Sequence, residues 1–402
     1  MEGNKIIIST DRMLFFLLII NPILSLIFDG TTIYYHYILL PIVYILLGIN
    51  LIRKRNTSMI YLMVSCCMTI VILSAFLMGA DKGKINNHLF NYLDTIMLFI
   101  YFSVSKNIEK FKIYISQRIN IVFLCVLIIN IVEGYLLITK NGYEYQYSWG
   151  GTFFHGTNSM PHTLSYLMLT ALIYVIVLVV LRNKRWYAIF AIIPLYCVFE
   201  SGARVSLLLA GILGLILFDL VFSKHTESKL IKGIKVTLVL GICTYILKDQ
   251  IMNSDLMSKI VKRSSSGNNS AGRMDLWLDL LSRYVSTPIH WLLGFGDDKV
   301  YYYSNLNPNV STSIWAHNDF IQILFGKGIV GLWCYIFAMV KYIRTLVTRN
   351  GNYYSLLLIG FYCISAILNG FYSYKDISLA IPFMLMVNDY LYNKTDWRNE
   401  KI

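Results

Sequence analysis

The chain is dominated by apolar runs that are about as long as a membrane is thick. Each is long enough, or nearly so, to cross roughly 30 Å as a helix rising about 1.5 Å per residue. The runs cover residues 13–28, 33–51, 59–79, 88–103, 119–138, 162–181, 186–199, 205–222, 234–247, 316–340, 353–370 and 377–391. This pattern predicts an all-α polytopic membrane protein with about twelve transmembrane helices.

The composition agrees with that prediction. The chain of 402 residues is 56% hydrophobic and only 14% charged, whereas soluble domains are about 25% charged. The net charge of +13 does not indicate nucleic-acid binding, because the basic residues gather in short clusters between apolar runs. Such clusters are typical of cytoplasmic loops.

The alternation of these clusters predicts the orientation of the chain. Lysine and arginine are retained on the cytoplasmic side in short loops, which puts both the N- and the C-terminus in the cytoplasm. We expect one integral membrane domain over residues 1–402. Residues 248–315 would form a long loop between the ninth and tenth helices, facing outward.

Within this loop, a periodic stretch predicts an amphipathic helix. It follows a flexible linker at residues 264–270 and runs from Arg273 to Val285, ending before Pro288. Its apolar residues recur every three or four positions, and they are Met274, Trp277, Leu278, Leu281 and Tyr284. We expect this helix to lie along the outer membrane face with its apolar side among the lipid headgroups.

Two arginines on the predicted outer side are candidates for binding phosphate. Arg204 follows Gly202 at the mouth of a helix, and Arg273 begins the loop helix. Two guanidinium groups suit a diphosphate, whose oxygens accept paired hydrogen bonds. Gly202 would allow a close backbone approach. The alternatives are an interfacial arginine reaching headgroup phosphates and an exposed charge at a helix end.

His317 is the candidate general base. It precedes Asn318 and Asp319, where the long loop re-enters the membrane. Imidazole takes up a proton near neutral pH, which suits it to deprotonating a hydroxyl group. Asp319 could orient the ring, or Asn318 could bind an acceptor hydroxyl, and a capping histidine remains the structural alternative.

Tyr301 and Tyr302 are candidates for stacking on sugar rings, although tyrosines also form aromatic belts at membrane interfaces. No Asp-x-Asp pair occurs in the chain, so a carboxylate-bound metal of the kind nucleotide-sugar transferases use is not expected. We predict neither a metal nor another cofactor.

Taken together, these motifs resemble the bacterial O-antigen polymerase and O-antigen ligase superfamily, which includes Wzy-type polymerases. The resemblance covers most of the chain. It rests on the motifs at 201–204, 272–273 with Trp277, 294–296, 317–318 and 328–331.

The resemblance implies a GT-C-like, metal-independent inverting glycosyltransferase in the bacterial inner membrane, with its active site facing outward. His317, Arg204 and Arg273 would be catalytic. The partners it implies are an undecaprenyl-diphosphate-linked donor and acceptor, membrane lipids and a chain-length regulator protein, with no nucleic acid.

Polymerization of O-antigen or capsular polysaccharide is the first interpretation. Transfer of the glycan to lipid A core by a ligase is the alternative. A lipid-linked oligosaccharide flippase is a third, disfavoured because charges within the predicted membrane segments are few.

Overall fold

A computed structural model describes residues 9–28, 38–53, 87–146, 151–222, 273–296, 315–350 and 353–396. This part of the chain is mostly helical. The helices are α1 (Thr10–Phe28), α2 (Leu40–Arg53), α3 (Asn87–Phe102), α4 (Ser105–Gln117), α5 (Ile119–Ile138), α6 (Pro161–Arg182), α7 (Ile192–Glu200), α8 (Arg204–Phe222), α9 (Arg273–Ser286), α10 (Asp319–Asn350), α11 (Tyr353–Leu368), α12 (Lys375–Leu379) and α13 (Ile381–Asp396). Two short 3-10 helices cover Arg185–Ala191 and Pro288–His290.

Among the described residues, five helices are long and apolar enough to cross a membrane: α1, α5, α6, α8 and α10. Shorter apolar helices occupy Leu40–Asn50, Leu89–Phe102 and Tyr353–Leu368. The chain therefore has the character expected of an all-α membrane protein. The predicted runs at 59–79 and 234–247 lie outside the described residues.

Helix α6 is the centre of the bundle. Every residue from Leu164 to Val180 is buried, so this helix is covered on all sides, as expected of a helix that is apolar all round. Helices α5, α7, α8 and α13 pack around it. Buried tyrosines find partners here, since the Tyr174 hydroxyl donates to the Leu18 carbonyl oxygen at 2.8 Å.

Three helices begin at the same end of the bundle: α6 at Pro161, α8 at Arg204 and α10 at Asp319. We call it the site end. The opposite end carries basic residues bound to polar partners. Lys110 pairs with Asp11 at 2.7 Å, and Arg182 donates to Asn120.

Helix α10 is interrupted at Gly328, where φ is 68° and ψ is −168°. It therefore consists of a short helix from Asp319 to Lys327 and a long one from Ile329 to Asn350. The long part spans roughly 33 Å at 1.5 Å per residue, which is enough to cross the membrane alone. The apolar run at 316–340 is therefore divided at Gly328, and Lys327 is the last residue of the short part.

Three other features differ from the predicted pattern. The run at 186–199 is a 3-10 helix followed by α7, and the run at 377–391 is divided between α12 and α13. A small antiparallel hairpin pairs β1 (Tyr143–Gln146) with β2 (Gly151–Phe154). No hairpin was predicted, because two strands of four residues leave little periodic signal.

Candidate active site

The three residues predicted to be catalytic lie at or near helix starts. Arg204 is the first residue of α8, Arg273 is the first of α9, and His317 stands two residues before α10. The backbone N–H groups of a first helical turn have no partner within the helix, and the helix dipole adds partial positive charge there. Helix starts that carry arginine are well suited to binding an anion.

Arg273 fastens α9 to the site end. Its guanidinium donates to the carbonyl oxygen of Leu368 and, at 3.5 Å, to Oδ1 of Asn369. One turn later, Trp277 Nε1 donates to the carbonyl oxygen of Ala316 at 2.6 Å. These contacts place Arg273 beside the segment that carries His317.

His317 has an unusual conformation and an unusual environment. Its φ is +53°, in the left-handed region that residues other than glycine occupy infrequently. Its ring hydrogen-bonds with the side chain and backbone of Asn369. Nδ1 is buried and has no hydrogen-bond partner among the described residues. Buried polar atoms are nearly always paired, and strained residues cluster at functional sites.

Burial and, to a smaller extent, the nearby Arg273 charge lower the pKa of His317 to about 4, although the hydrogen bonds with Asn369 act in the opposite direction. The ring is therefore neutral at pH 7 and carries a free lone pair. The pKa lies below the neutral value that best suits a general base. An anion bound to Arg273 would offset the Arg273 charge and raise the pKa of His317 again.

Asp319 fixes the turn that follows α11. It is fully buried, and its Oδ2 accepts hydrogen bonds from the Tyr335 hydroxyl at 2.6 Å and from the backbone N–H groups of Phe371 at 2.8 Å and Tyr372 at 3.2 Å. The ring of His317 is not among these partners. The recorded contacts of Asp319 therefore support a positioning role more than an orienting hydrogen bond to the ring.

Asn318 caps the start of α10. Its Oδ1 accepts a hydrogen bond from the backbone N–H of Ile321 at 3.1 Å, which is the usual geometry of an N-terminal cap. The cap defines where the helix begins and so fixes the position of His317 immediately before it.

Asn369 is a member of the site that the sequence reasoning missed. It is 1% exposed, and besides contacting Arg273 and His317 its Nδ2 donates to the hydroxyls of Tyr166 at 3.3 Å and Tyr374 at 3.4 Å. The two tyrosine rings are stacked, with centroids 3.9 Å apart. The only available signal was a polar residue closing the apolar run at 353–370.

Arg204 is linked to this cluster through the packing of α8 on α6. Two residues into α8, the hydroxyl of Ser206 lies 2.7 Å from that of Ser165, which precedes Tyr166. The neighbouring Gly202 has a φ of +63°, and a Cβ there would overlap the ring of Phe153 in β2. The close approach at Gly202 is thus made by the hairpin.

The hairpin is also held by Glu133 near the end of α5. The Glu133 carboxylate accepts a hydrogen bond from the Thr157 hydroxyl at 2.7 Å, and the Tyr143 hydroxyl donates to Glu200 at 3.1 Å. These contacts press the hairpin against the turn that precedes Arg204.

Two predicted residues, Tyr301 and Tyr302, lie outside the described residues. The described ranges contain no group of three or more histidine, cysteine or carboxylate residues placed to hold a metal ion.

Part of the chain that includes the candidate site is similar to a known domain. Residues 188–336 match the domain described as O-antigen ligase, Wzy_C. This segment contains Arg204, Arg273 and His317. Over these residues, the chain is similar to the O-antigen ligase and polymerase family.

A curated protein with a related description is also similar to part of the chain. A protein of Rickettsia conorii that carries the provisional name polysaccharide ligase is 26% identical over 216 residues. The matched region covers 50% of this chain and 50% of that protein. The chain thus matches about half the length of this relative.

Proposed function

We propose that the protein transfers a glycan from a polyprenyl-diphosphate carrier to a sugar hydroxyl, as a polymerase of O-antigen or capsular polysaccharide. The observation that carries the proposal is His317 Nδ1, a buried ring nitrogen without a partner among the described residues, beside the Arg273 guanidinium. A neutral base next to a cation is what such a transfer requires, because one proton must leave while negative charge develops nearby.

In the proposed reaction, the acceptor hydroxyl oxygen attacks C1 of the donor sugar, and its proton passes to His317 Nδ1. The bond between C1 and the diphosphate oxygen breaks, with the electron pair leaving on the diphosphate. Arg273 and Arg204, each at the start of a helix, would stabilise that charge. Direct displacement inverts the configuration at C1.

This division of labour leaves no step for a metal ion, because the arginines would balance the leaving-group charge. We therefore expect activity to persist in excess chelator. The anomeric configuration of the product, determined by NMR, should be the inverse of that in the donor. Asn318, Tyr301 and Tyr302 remain proposed substrate-binding residues, whereas the contacts of Asp319 with Tyr335, Phe371 and Tyr372 and of Gly202 with Phe153 favour positioning roles.

The ligase remains the second candidate, and the names found by comparison favour it. The matching domain is described as O-antigen ligase, and the Rickettsia relative is named as a polysaccharide ligase. Both candidates use the same donor chemistry and differ in the acceptor. A polymerase adds to another lipid-linked repeat unit, whereas a ligase adds to lipid A core.

The proposal is tested by supplying purified protein with a synthetic undecaprenyl-diphosphate repeat unit. A ladder of products without further additions supports the polymerase. A single addition that requires lipid A core supports the ligase. No transfer to either acceptor would contradict the proposed chemistry.

His317→Gln should lower turnover by about 10²- to 10⁴-fold, the usual contribution of a general base. His155→Gln is the matched control, since Nδ1 of His155 already lies 2.7 Å from the Asn158 carbonyl oxygen, and its turnover should stay near that of the parent protein. Full activity of His317→Gln would refute the general-base role.

We further propose that the site end faces outward across the bacterial inner membrane, with about twelve spans and both termini in the cytoplasm. In support, the opposite end carries basic residues such as Lys110 and Arg182, as expected of a cytoplasmic side. The chain would form one domain, with residues 248–315 as its outward loop. A chain-length regulator protein is a further proposed partner.

A further inference from the structure

Residues 291–296, which follow α9, lie against the interruption of α10. Four backbone hydrogen bonds join the two segments. Phe295 N donates to Phe325 O at 2.8 Å, Gly296 N to Gly326 O at 2.9 Å, Ile329 N to Trp291 O at 2.8 Å and Val330 N to Leu292 O at 3.2 Å. We call this contact between residues 291–296 and 325–330 the glycine clasp.

The clasp requires glycine at its centre. Gly294 has a φ of +75°, and a Cβ there would lie 2.5 Å from the backbone of Gly326 and Lys327. Gly328 has a φ of +68°, and its Cβ would lie 2.6 Å from Gly294 N. Both conflicts are with backbone atoms, which cannot rotate away as a flexible side chain can. Any larger residue must push the two segments apart.

The clasp joins α9 and the short part of α10 at the end away from the candidate active site. We call these two helices and the clasp the frame. Helix α9 leaves the site at Arg273, and the short part of α10 leaves it just after His317. The two helices pack side by side through a small apolar cluster, made by Leu276, Leu280, Tyr284, Ala316 and Phe325. Beyond that cluster, the clasp joins the chain that follows α9 to the end of the short helix.

Because the clasp fixes the two helices at one end of the frame, it also determines how Arg273 and His317 are aligned at the other end. Apolar side chains alone permit small sliding movements, whereas four directional backbone hydrogen bonds do not. Sliding by one helical residue displaces an end by about 1.5 Å. A misplacement of about 1 Å can cost about 100-fold in rate.

We propose that the glycine clasp sets the position of Arg273 relative to His317, which makes Gly294 and Gly328 positioning residues of the transfer reaction. This inference rests on the proposed function. The glycines act through the backbone and touch no substrate. Their effect should therefore appear mainly in kcat.

The experiment compares Gly294→Ala and Gly328→Ala with two controls in α8, Gly211→Ala and Gly214→Ala, where a Cβ meets nothing within 4 Å. We expect each clasp variant to lose at least about tenfold in kcat while being present in the membrane at the parental level. Both controls should keep the parental kcat.

A pH profile distinguishes positioning from a general loss of structure. After burial, the charge of Arg273 on α9 is the next cause that lowers the pKa of His317. Among the described residues, Asp319, Tyr166 and Tyr374 are the other titratable groups that interact with this cluster. If the clasp variants let Arg273 move away, the acid limb of the kcat/KM profile shifts to higher pH. A lower kcat with an unshifted limb would overturn the proposal.

Hydrogen exchange gives a readout that does not depend on activity. In the parent protein, the amides of Phe295, Gly296, Ile329 and Val330 should exchange slowly, and in the clasp variants they should exchange faster while those of α6 do not. If exchange changes but the parent transfers no glycan, the proposed function fails and the clasp stands.

If the alanine variants do not accumulate, inserting one glycine after Ser286 tests the same alignment. A parental kcat and a parental pH profile in that variant would overturn the proposal.

Discussion

At the residue scale, His317 combines three properties that a purely structural histidine has little reason to share. It has a positive φ, its pKa is lowered by burial and by Arg273, and its Nδ1 has no partner among the described residues. A histidine that only capped a helix would use that nitrogen. The arrangement favours a ring kept ready for a substrate hydroxyl.

The lowered pKa of His317 predicts a specific pH dependence. The base must be unprotonated, so activity is lost as the pH falls through its pKa. In the free enzyme that pKa is about 4, and we expect the acid limb of kcat/KM in that region. The acid limb of the kcat profile should lie at higher pH, because the bound diphosphate offsets the Arg273 charge and so raises the pKa of His317.

Arg273→Gln provides the check on this interpretation. Removing the positive charge raises the pKa of His317, so the acid limb of kcat/KM should move to higher pH as the rate falls. An unmoved limb would mean that the titrating group is not next to Arg273. Lys110→Gln is the control, since Lys110 pairs with Asp11 at the opposite end and should leave the limb in place.

Asn369→Asp tests the residue that contacts both Arg273 and His317. A carboxylate beside His317 favours the protonated ring, so the acid limb should again move to higher pH. Asn388→Asp is a matched control, because Asn388 is also buried but bonds to Leu346 and Ser355 away from the site. A shift in both variants would indicate a general effect of added charge.

The three predicted catalytic residues could be found from the sequence because residue type and place along the apolar ladder both indicated them. Asn369 could not be, because its importance depends on contacts with residues as distant in sequence as Tyr166 and Arg273. Nor does the sequence show that residue 202 must be glycine because the ring of Phe153 packs against it. Such contacts exist only after the chain has folded.

At the element scale, α9 shows that one helix can carry two apolar stripes. Its bounds follow the prediction closely, ending before Pro288. Met274 and Leu278, on the side predicted to face lipid headgroups, are 51% and 61% exposed. Leu276 and Leu280, which were not assigned to that side, are buried against α10. Periodicity alone did not reveal this second stripe.

The two stripes should respond differently to truncation. Leu280→Ala removes buried contacts with the apolar cluster at a cost of about 2–5 kcal/mol, so the amides of α9 should exchange faster with solvent hydrogen. Leu278→Ala removes a side chain from the exposed stripe and should leave the exchange unchanged. Equal effects of the two substitutions would mean that both faces are packed.

Other elements differ in how far local sequence determines them. Helix α5 was predicted at its observed bounds, because an unbroken apolar run carries its own signal. The interruption of α10 was not predicted, because the left-handed backbone of Gly328 depends on its close contact with Leu292 and Gly294, which are distant in sequence. Helix α4 lies between the apolar runs at 88–103 and 119–138, and its polar face hides the helical pattern.

At the scale of the whole molecule, the proposed topology predicts where reporters are active. A phosphatase fused after Gln146 would lie at the site end and should be active. The same enzyme fused after Asn183 would lie at the opposite end, beyond α6, and should be inactive. The reverse pattern would place the site on the cytoplasmic side and contradict an outward-facing reaction.

The central position of α6 has a consequence for how the protein is made. This helix is buried all along its length, and part of its cover comes from α13, where Phe383 lies against Tyr174 with ring centroids 4.6 Å apart. During synthesis, α6 therefore enters the membrane long before its last neighbour exists. Until α13 has been synthesised, lipid or an insertion factor must cover the surface of α6 around Tyr174. A chain shortened before α13 would leave that surface of α6 without its protein neighbour.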